Sequence, residues 1–311
     1  MAKVATRVSY GEALVKYGVP NENVVVLDAD LSKSTKTDTF KKVCPERFIN
    51  MGIAEADMMC VAAGLATCGK IAFASTFAMF AAGRAFEQIR NSIGYPGLNV
   101  KIGATHAGIS VGEDGASHQC LEDIALMRTI PGMVIINPAD DREAQLAVKA
   151  AIEHQGPVYM RFGRLAVDDL YDDDYKFELG KGVMLRDGKD ATIVATGLLV
   201  QEALKAAKIL EDEGISARVI NIHTIKPLDE EIITAAAKET GAIVTAEEHY
   251  IMGGLGSAVA EVVCKNAPCP VKIIGTEEFG QSGKPAELFE AYGLTAENIV
   301  KNVKEAIKLK K

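Results

Sequence analysis

Short, unbroken apolar runs alternate with helical segments, and this alternation constrains the fold more than anything else in the chain. "NVVVLDADL" (23–31), "KIAFAST" (70–76), "VKIGATH" (100–106), "MVIINPA" (133–139) and "PVYMRFG" (157–163) read as strands with little polar face. Between them lie "ADMMCVAAGLATCG" (56–69), "FAAGRAFEQIRNSI" (80–93), "HQCLEDIALMRTI" (118–130) and "DDREAQLAVKAAIEH" (140–154), which read as helices. A strand that is apolar on both sides must be covered on both sides. That selects a parallel sheet layered between helices, an α/β fold.

The pattern breaks at "AVDDLYDDDYKFELGKGVMLRDGKD" (166–190), which is acidic and aperiodic and reads as a linker with a small edge strand. It then resumes with "ATIVATG", "ISARVINIHTIKPLD", "GAIVTAEEH" and "CPVKIIGT" as strand-bearing segments of a second α/β unit. We divide the chain into 1–168, a linker 169–188, and 189–311. The most apolar run, "IAFASTFAMFAAG" (71–83), is closed by Lys70 and Arg84 after 13 residues, short of the roughly 18 that span a bilayer. A net charge of -8 argues against a nucleic-acid surface. The six cysteines form no metal-ligand pattern, Cys264 and Cys269 included, and read as reduced, buried thiols of a cytoplasmic protein.

In open parallel sheets ligands sit beyond the carboxyl ends of the strands. That directs attention to Asp28–Ser34, Gly52–Glu55, Ser75–Phe80 and Thr105–His118. Glu55 starts a helix, where an acid complements the dipole. Its neighbours Ile53, Ala54, Ala56 and Met58 are apolar, so a poorly solvated carboxyl able to exchange a proton is the second reading. Phe77 and Phe80 are three apart; they are core residues or a stacking platform for a flat heterocycle. His106, Asp114 and His118 share one glycine-rich loop and suit a polar substrate better than a metal, for which no third nitrogen or thiolate has suitable spacing. Arg161 and Arg164 are surface charges or a phosphate clamp.

Taken together, "GIAE", "STFAMF" and "GEDGASHQ" resemble transketolase, and the likeness extends over the pyrimidine-binding domain and the small C-terminal domain of that family. The resemblance implies that Glu55 holds N1′ of the aminopyrimidine of thiamine diphosphate and favours its imino tautomer. It implies that Phe77 and Phe80 pack on that ring, with Gly83 where a third aromatic is expected. It makes Asp30 a group near the thiazolium and the sugar. His106 and Arg164, with Arg7 and Ser34 as weaker matches, would hold a sugar phosphate. Asp114 and His118 would contact substrate hydroxyls, His118 also serving catalysis. Arg161 is outside the pattern.

The implied activity is transfer of a two-carbon ketol unit from a ketose phosphate to an aldose phosphate. Deoxyxylulose-phosphate synthase shares "RAFEQIRNSI" and "MRFGR" in style, but has arginine at the position of His106. The beta subunits of 2-oxoacid dehydrogenases share the "GGLGSAV" region and generally lack "GEDGASHQ". A non-catalytic sugar-phosphate-binding subunit is a further alternative, against which the intact Glu55 and histidine loop argue. The G-D-G and Asn-Asn signals that mark the diphosphate-binding domain do not occur in the sequence. The resemblance therefore implies an N-terminal partner subunit that binds the diphosphate and most of the magnesium or calcium. It also implies a two-plus-two heterotetramer, with no metal ligand in this chain. "GGLGSAV" (253–259) lacks a dinucleotide fingerprint, and its glycines read as aids to close packing. His223 and His249 read as structural or interface residues, and the second unit as chiefly an assembly element.

Overall fold

The computed structural model describes residues 3–310. Its strands are β1 (Val4–Ala5), β2 (Val24–Asp28), β3 (Phe48–Asn50), β4 (Ile71–Phe77), β5 (Val100–Thr105), β6 (Val134–Ile136) and β7 (Val158–Arg161). They continue with β8 (Ala166–Val167), β9 (Val183–Arg186), β10 (Ala191–Ala195), β11 (Ala217–Asn221), β12 (Thr224–Lys226), β13 (Ile243–Tyr250) and β14 (Val271–Thr276). A seven-stranded sheet has the order β12-β6-β7-β5-β4-β2-β3, and a five-stranded sheet β14-β13-β10-β11-β9. Within these two sheets all pairings are parallel except those of β12 and β9, and β1 pairs antiparallel with β8 in a separate two-stranded sheet. The strands β2, β4, β5 and β7 of the first sheet are buried throughout, as their unbroken apolar runs require.

Three local readings are corrected. "ISARVINIHTIKPLD" does not stay in the second unit: β11 does, but β12 crosses to pair with β6 at the edge of the first sheet. Its Lys226 Nζ then donates to the carbonyls of Arg128 and Ile130, tying the crossing strand down. The helix expected over 118–130 is confined to Asp123–Arg128, because residues 118–122 are taken up by turns and by a bridge between Cys120 and Ala107. The segment 80–93 is helical but is interrupted at Ala85 (φ -116°, ψ 18°).

Alignment of the strand ends positions the site. Asp28 lies level with Ser75, and Phe77 with Thr105. The turn after β2 is then fixed by the buried Asp28 carboxylate, which accepts from Leu31 N (2.6 Å), Thr35 Oγ1 (2.7 Å) and Thr37 Oγ1 (2.8 Å). Behind the sheet, Tyr10 stacks on Phe162 at 4.7 Å and bonds Ser75 Oγ at 2.6 Å. Gly103, in the middle of β5, makes room for this ring: a Cβ there would lie 2.2 Å from Tyr10 Oη. Gly103→Ala should therefore cost about 1–3 kcal/mol by overpacking, and the combination with Tyr10→Leu should cost less than the two changes summed; urea denaturation measures both.

The linker is clamped by two buried acids. Asp140 caps helix Asp141–Glu153 through Glu143 N and also accepts from Leu170 N and Tyr171 N. Glu143 accepts from Ala139 N, Tyr175 Oη and Asn221 Nδ2. Burial raises the Glu143 carboxyl from 4.5 to about 7 despite these donors. A raised folded-state value means the native protein binds this proton more tightly than the unfolded chain. The stabilisation it brings is present below pH 4.5 and is lost as pH rises through about 7. A plot of unfolding free energy against pH should show this downward component for the native sequence and not for Glu143→Gln.

Candidate active site

Glu55 is the first residue of helix Glu55–Thr67 and only 4% exposed. It is not, however, isolated among apolar groups. Its Oε1 accepts from Arg84 Nη1 at 3.0 Å, and the Arg84 guanidinium lies 3.9 Å from the Phe80 ring centroid. Arg84 was not singled out from sequence as a site residue, because the rest of helix Glu55–Thr67, a turn and β4 separate it from Glu55. Its place four residues after the "STFAMF" run is the signal that could have found it. Glu55 Oε2 has no hydrogen-bond partner among the described residues, so one carboxylate oxygen is fixed and one is free to bond something else.

Phe77 and Phe80 stack on one another at 5.6 Å. Phe77 also stacks on the His106 ring at 3.9 Å, and His118 meets both phenyl rings edge-on, at 6.1 and 5.3 Å. The two phenylalanines are thus a platform linking the helix of Glu55 to the histidine loop. Gly83 carries no ring, and the Met79 methyl lies 2.4 Å from where its Cβ would be, filling that space.

His106 joins the platform to a group of cations. It adopts φ 56°, in the left-handed region. Arg7 Nη1 lies 3.3 Å from its Nε2, and Thr105 Oγ1 lies 3.0 Å from its Nδ1. Arginine can only donate, so Nε2 accepts and Nδ1 carries the proton: the imidazole is neutral. Burial, and then the charges of Arg7, Arg164, His118 and Lys36, push its pKa down to about 3. Arg7 also donates to Ser34 O at 2.8 Å, while its buried Nε finds no partner. No acid pairs with Arg7 among the described residues, and its own pKa is lowered by burial and by Arg164. Arg7 and Lys36, which have no acidic partner among the described residues, favour an anion beside them. Lys36 was not foreseen as a contributor.

Asp114 is exposed and lies 3.7 Å from Arg164, which also approaches Glu113 at 3.6 Å and donates to Val111 O. His118 is half-buried, with Ser117 Oγ at 2.9 Å. Asp30 is exposed at φ 64° and is held by Asn50 Nδ2 at 2.9 Å, toward the Glu55 turn rather than the cations.

Arg161 is neither a surface charge nor a clamp. It is buried, donating to Asp123 Oδ2 at 2.9 Å and to the carbonyls of Cys120 (3.2 Å) and Glu248 (2.8 Å). Burial works against its charge, but Asp123 and Glu248 more than compensate and raise its pKa. The thiols are also less hidden than expected: all six are free, but only Cys44 and Cys120 are buried. His223 is buried against Phe177, and His249 accepts from Ala125 N across the two units. The glycines of 253–259 admit a carboxylate of the protein itself: Glu247 accepts from Leu255 N and Gly256 N, both at 2.7 Å, and a Cβ at Gly254 would meet it at 2.1 Å.

Residues 2–168 match the transketolase pyrimidine-binding domain and residues 180–299 the transketolase C-terminal domain. The chain belongs to the transketolase family. A Methanocaldococcus jannaschii chain, named as a candidate transketolase C-terminal section, is 53% identical over 306 residues, covering 97% of this chain and 96% of the relative. A 6-deoxy-6-sulfo-D-fructose transketolase subunit of Clostridium sp. (strain MSTE9) is 42% identical, covering 98% and 95%. A solved split-gene transketolase, described as an inactive beta4 tetramer, superimposes over 100% of both chains with a TM-score of 0.92 and 55% identity.

The transketolase family binds thiamine diphosphate, and the residues here fit its aminopyrimidine end: a free carboxylate oxygen on Glu55 and the Phe77–Phe80 faces are the donor-acceptor and stacking set such a ring needs. No group of three or more metal-ligating side chains occurs among the described residues, and none of their helices is long and apolar enough to cross a membrane. Arg7→Ala should raise the His106 pKa from about 3 by removing the largest neighbouring charge; an NMR titration of the imidazole reads this, and no upward movement would dismiss the assigned coupling.

Proposed function

We propose that this chain is the pyrimidine-binding subunit of a two-chain transketolase, moving a two-carbon ketol unit between sugar phosphates. The observation that carries the reading is His106, which stacks on Phe77 at 3.9 Å and accepts from Arg7 at 3.3 Å. One neutral side chain thereby sits against both the aromatic platform and Arg7, which has no acidic partner among the described residues. A ring and a sugar phosphate held side by side would meet there.

In this reading Glu55 Oε2 holds a proton shared with the pyrimidine ring nitrogen, while Arg84 keeps Oε1 in place. Phe77 and Phe80 orient the ring and exclude water from it. When bound, thiamine diphosphate supplies the nucleophilic carbon and the electron sink for the two-carbon fragment. Arg7 and Arg164, with the Ser34 turn, bind the phosphate of the sugar. Neutral His106 donates from or accepts at a substrate oxygen without adding charge. Asp114 and His118 approach substrate hydroxyls, His118 being able to pass a proton to the oxygen of the transferred fragment. Asp30, held by Asn50 next to the Gly52–Glu55 turn, would lie near the thiazolium and the sugar. The diphosphate and its divalent metal fall to a partner chain carrying G-D-G and Asn-Asn, in a two-plus-two assembly. The split-gene neighbour supports that reading. The sulfo-sugar relative leaves the terminal anion of the substrate open between phosphate and sulfonate.

Ketol transfer should be absent from this chain alone and present after mixing with such a partner. Glu55→Ala in the mixture should lower the rate by about 10²–10⁴-fold, in the range of a lost proton-transfer group. Substantial turnover without the partner would overturn the two-chain reading, and undiminished transfer by Glu55→Ala would overturn the role of the acid.

A further inference from the structure

The loop that presents Asp114 and His118 is held from one side by its own turns and from the other by the second unit, and a single side chain reaches both. Gln119 is 3% exposed. Its Nε2 donates to Ile109 O (3.1 Å), Gly112 O (3.2 Å) and, across the units, Gln281 O (3.0 Å). All three partners are carbonyls, so the nitrogen must face them; the chemistry leaves no choice of amide orientation. With two hydrogens for three acceptors, one bond is shared. The other end, Oε1, is buried without a donor and rests on Gly280, where a Cβ would lie 1.9 Å away.

The loop glycines complete the fit. Gly112 (φ 84°) and Gly115 (φ 74°) require a residue without a side chain for conformation alone. They also pack against the same segment: a Cβ at Gly115 would lie 2.6 Å from Ser282 Oγ, and one at Gly112 would lie 3.3 Å from Gly283 O and from Pro285. Asp114 lies between these two glycines and His118 lies just beyond them. Within the loop, Gly115 N bonds Gly112 O, and His118 N and Gln119 N both bond Gly115 O. The frame that sets the direction of both side chains is therefore built from turns pinned by Gln119.

We infer that Gln119 is a positioning residue for the substrate loop, and that the 280–285 segment of the second unit is its abutment, so that the second unit shapes sugar recognition as well as assembly. The inference rests on the sugar-binding role proposed above for Asp114 and His118. Gln119 touches no reacting atom in this scheme; it acts through the loop. Losing it should weaken capture of the sugar while leaving proton exchange at the Glu55 end untouched.

The test uses Gln119→Leu and Gly280→Ala, the first removing the donors and the second crowding Oε1. In the chain itself, hydrogen exchange at the amides of Gly115, His118 and Gln119 should accelerate by roughly tenfold, the effect of losing one hydrogen bond's worth of local stability. The amides of helix Leu199–Asp212 should keep their native protection, which reports an intact fold. In the two-chain complex, KM for the ketose donor should rise by about tenfold or more, with kcat falling by a smaller factor as His118 loses its aim. Exchange of the cofactor's C2 proton should stay at the native rate. Native exchange and native KM in both variants would overturn the inference. A native-sequence complex that transfers nothing would overturn the functional reading alone, and the exchange measurement on the single chain would still decide whether Gln119 braces the loop.

Discussion

A guanidinium buried at the carboxyl end of β7 is what the site stands on. Removing Arg161 from water costs several kcal/mol, and only good geometry recovers it. The recovery comes from Asp123 at the start of a helix, from the Cys120 carbonyl in the loop behind His118, and from the Glu248 carbonyl in β13 of the second unit. Tyr159 Oη adds a bond to the same Asp123 oxygen at 2.9 Å. Each acceptor belongs to a different piece of the chain. Satisfying one charge thus fixes strand, loop and second unit relative to each other, and the histidine loop inherits that fixity. Glu248 extends it by accepting from Ser110 N beside Gly108, whose missing Cβ leaves room for the carboxylate.

The exposed half of the site is arranged differently. Arg7 and Arg164 repel one another and, with Lys36, keep the proton off His106 that would charge it; within the described residues Arg164 alone of the three has acidic partners. Such a cluster is held in place by the backbone: by Ser34 O accepting from Arg7, and by the turn that Asp28 organises. The strain of like charges is a standing preference for an anion. The pyrimidine half has the opposite character. There Glu55 is already paired on one oxygen, and selectivity falls to the direction in which the second oxygen is left open.

The layered α/β architecture was legible because strands covered on both faces are mostly apolar, as β2, β4 and β5 are apart from Asp28, Ser75, Thr76, Lys101 and Thr105. The positions beyond their ends were legible for the same reason, and the structure brings Phe77, Phe80, His106 and His118 together there, with Glu55 joined to them through Arg84. What was not legible depended on partners far apart in sequence. Arg84 meets Glu55 across 29 positions. Arg161 meets Asp123 across 38, so it read as a surface charge or a clamp when it is internal. The apolar neighbours of Glu55 in sequence were a poor guide to its neighbours in space. The cysteines Cys60, Cys68 and Cys264 lie on outward faces of helices or just past their ends, where composition alone says nothing of exposure. The strand β12 is three residues long and follows β11 almost at once, so no change in pattern announces that it leaves its sheet.

That crossing strand has a consequence for anyone who would treat the two units as separable modules. A cut anywhere in 169–188 would leave the first unit without the strand that covers β6. The bare edge would present unpaired backbone donors and acceptors in the register that Thr224 and Lys226 normally occupy. Such an edge is an invitation to pair with another chain. In evolutionary terms the two units cannot be shuffled independently: any rearrangement that moved one would have to carry a stitch of the other with it.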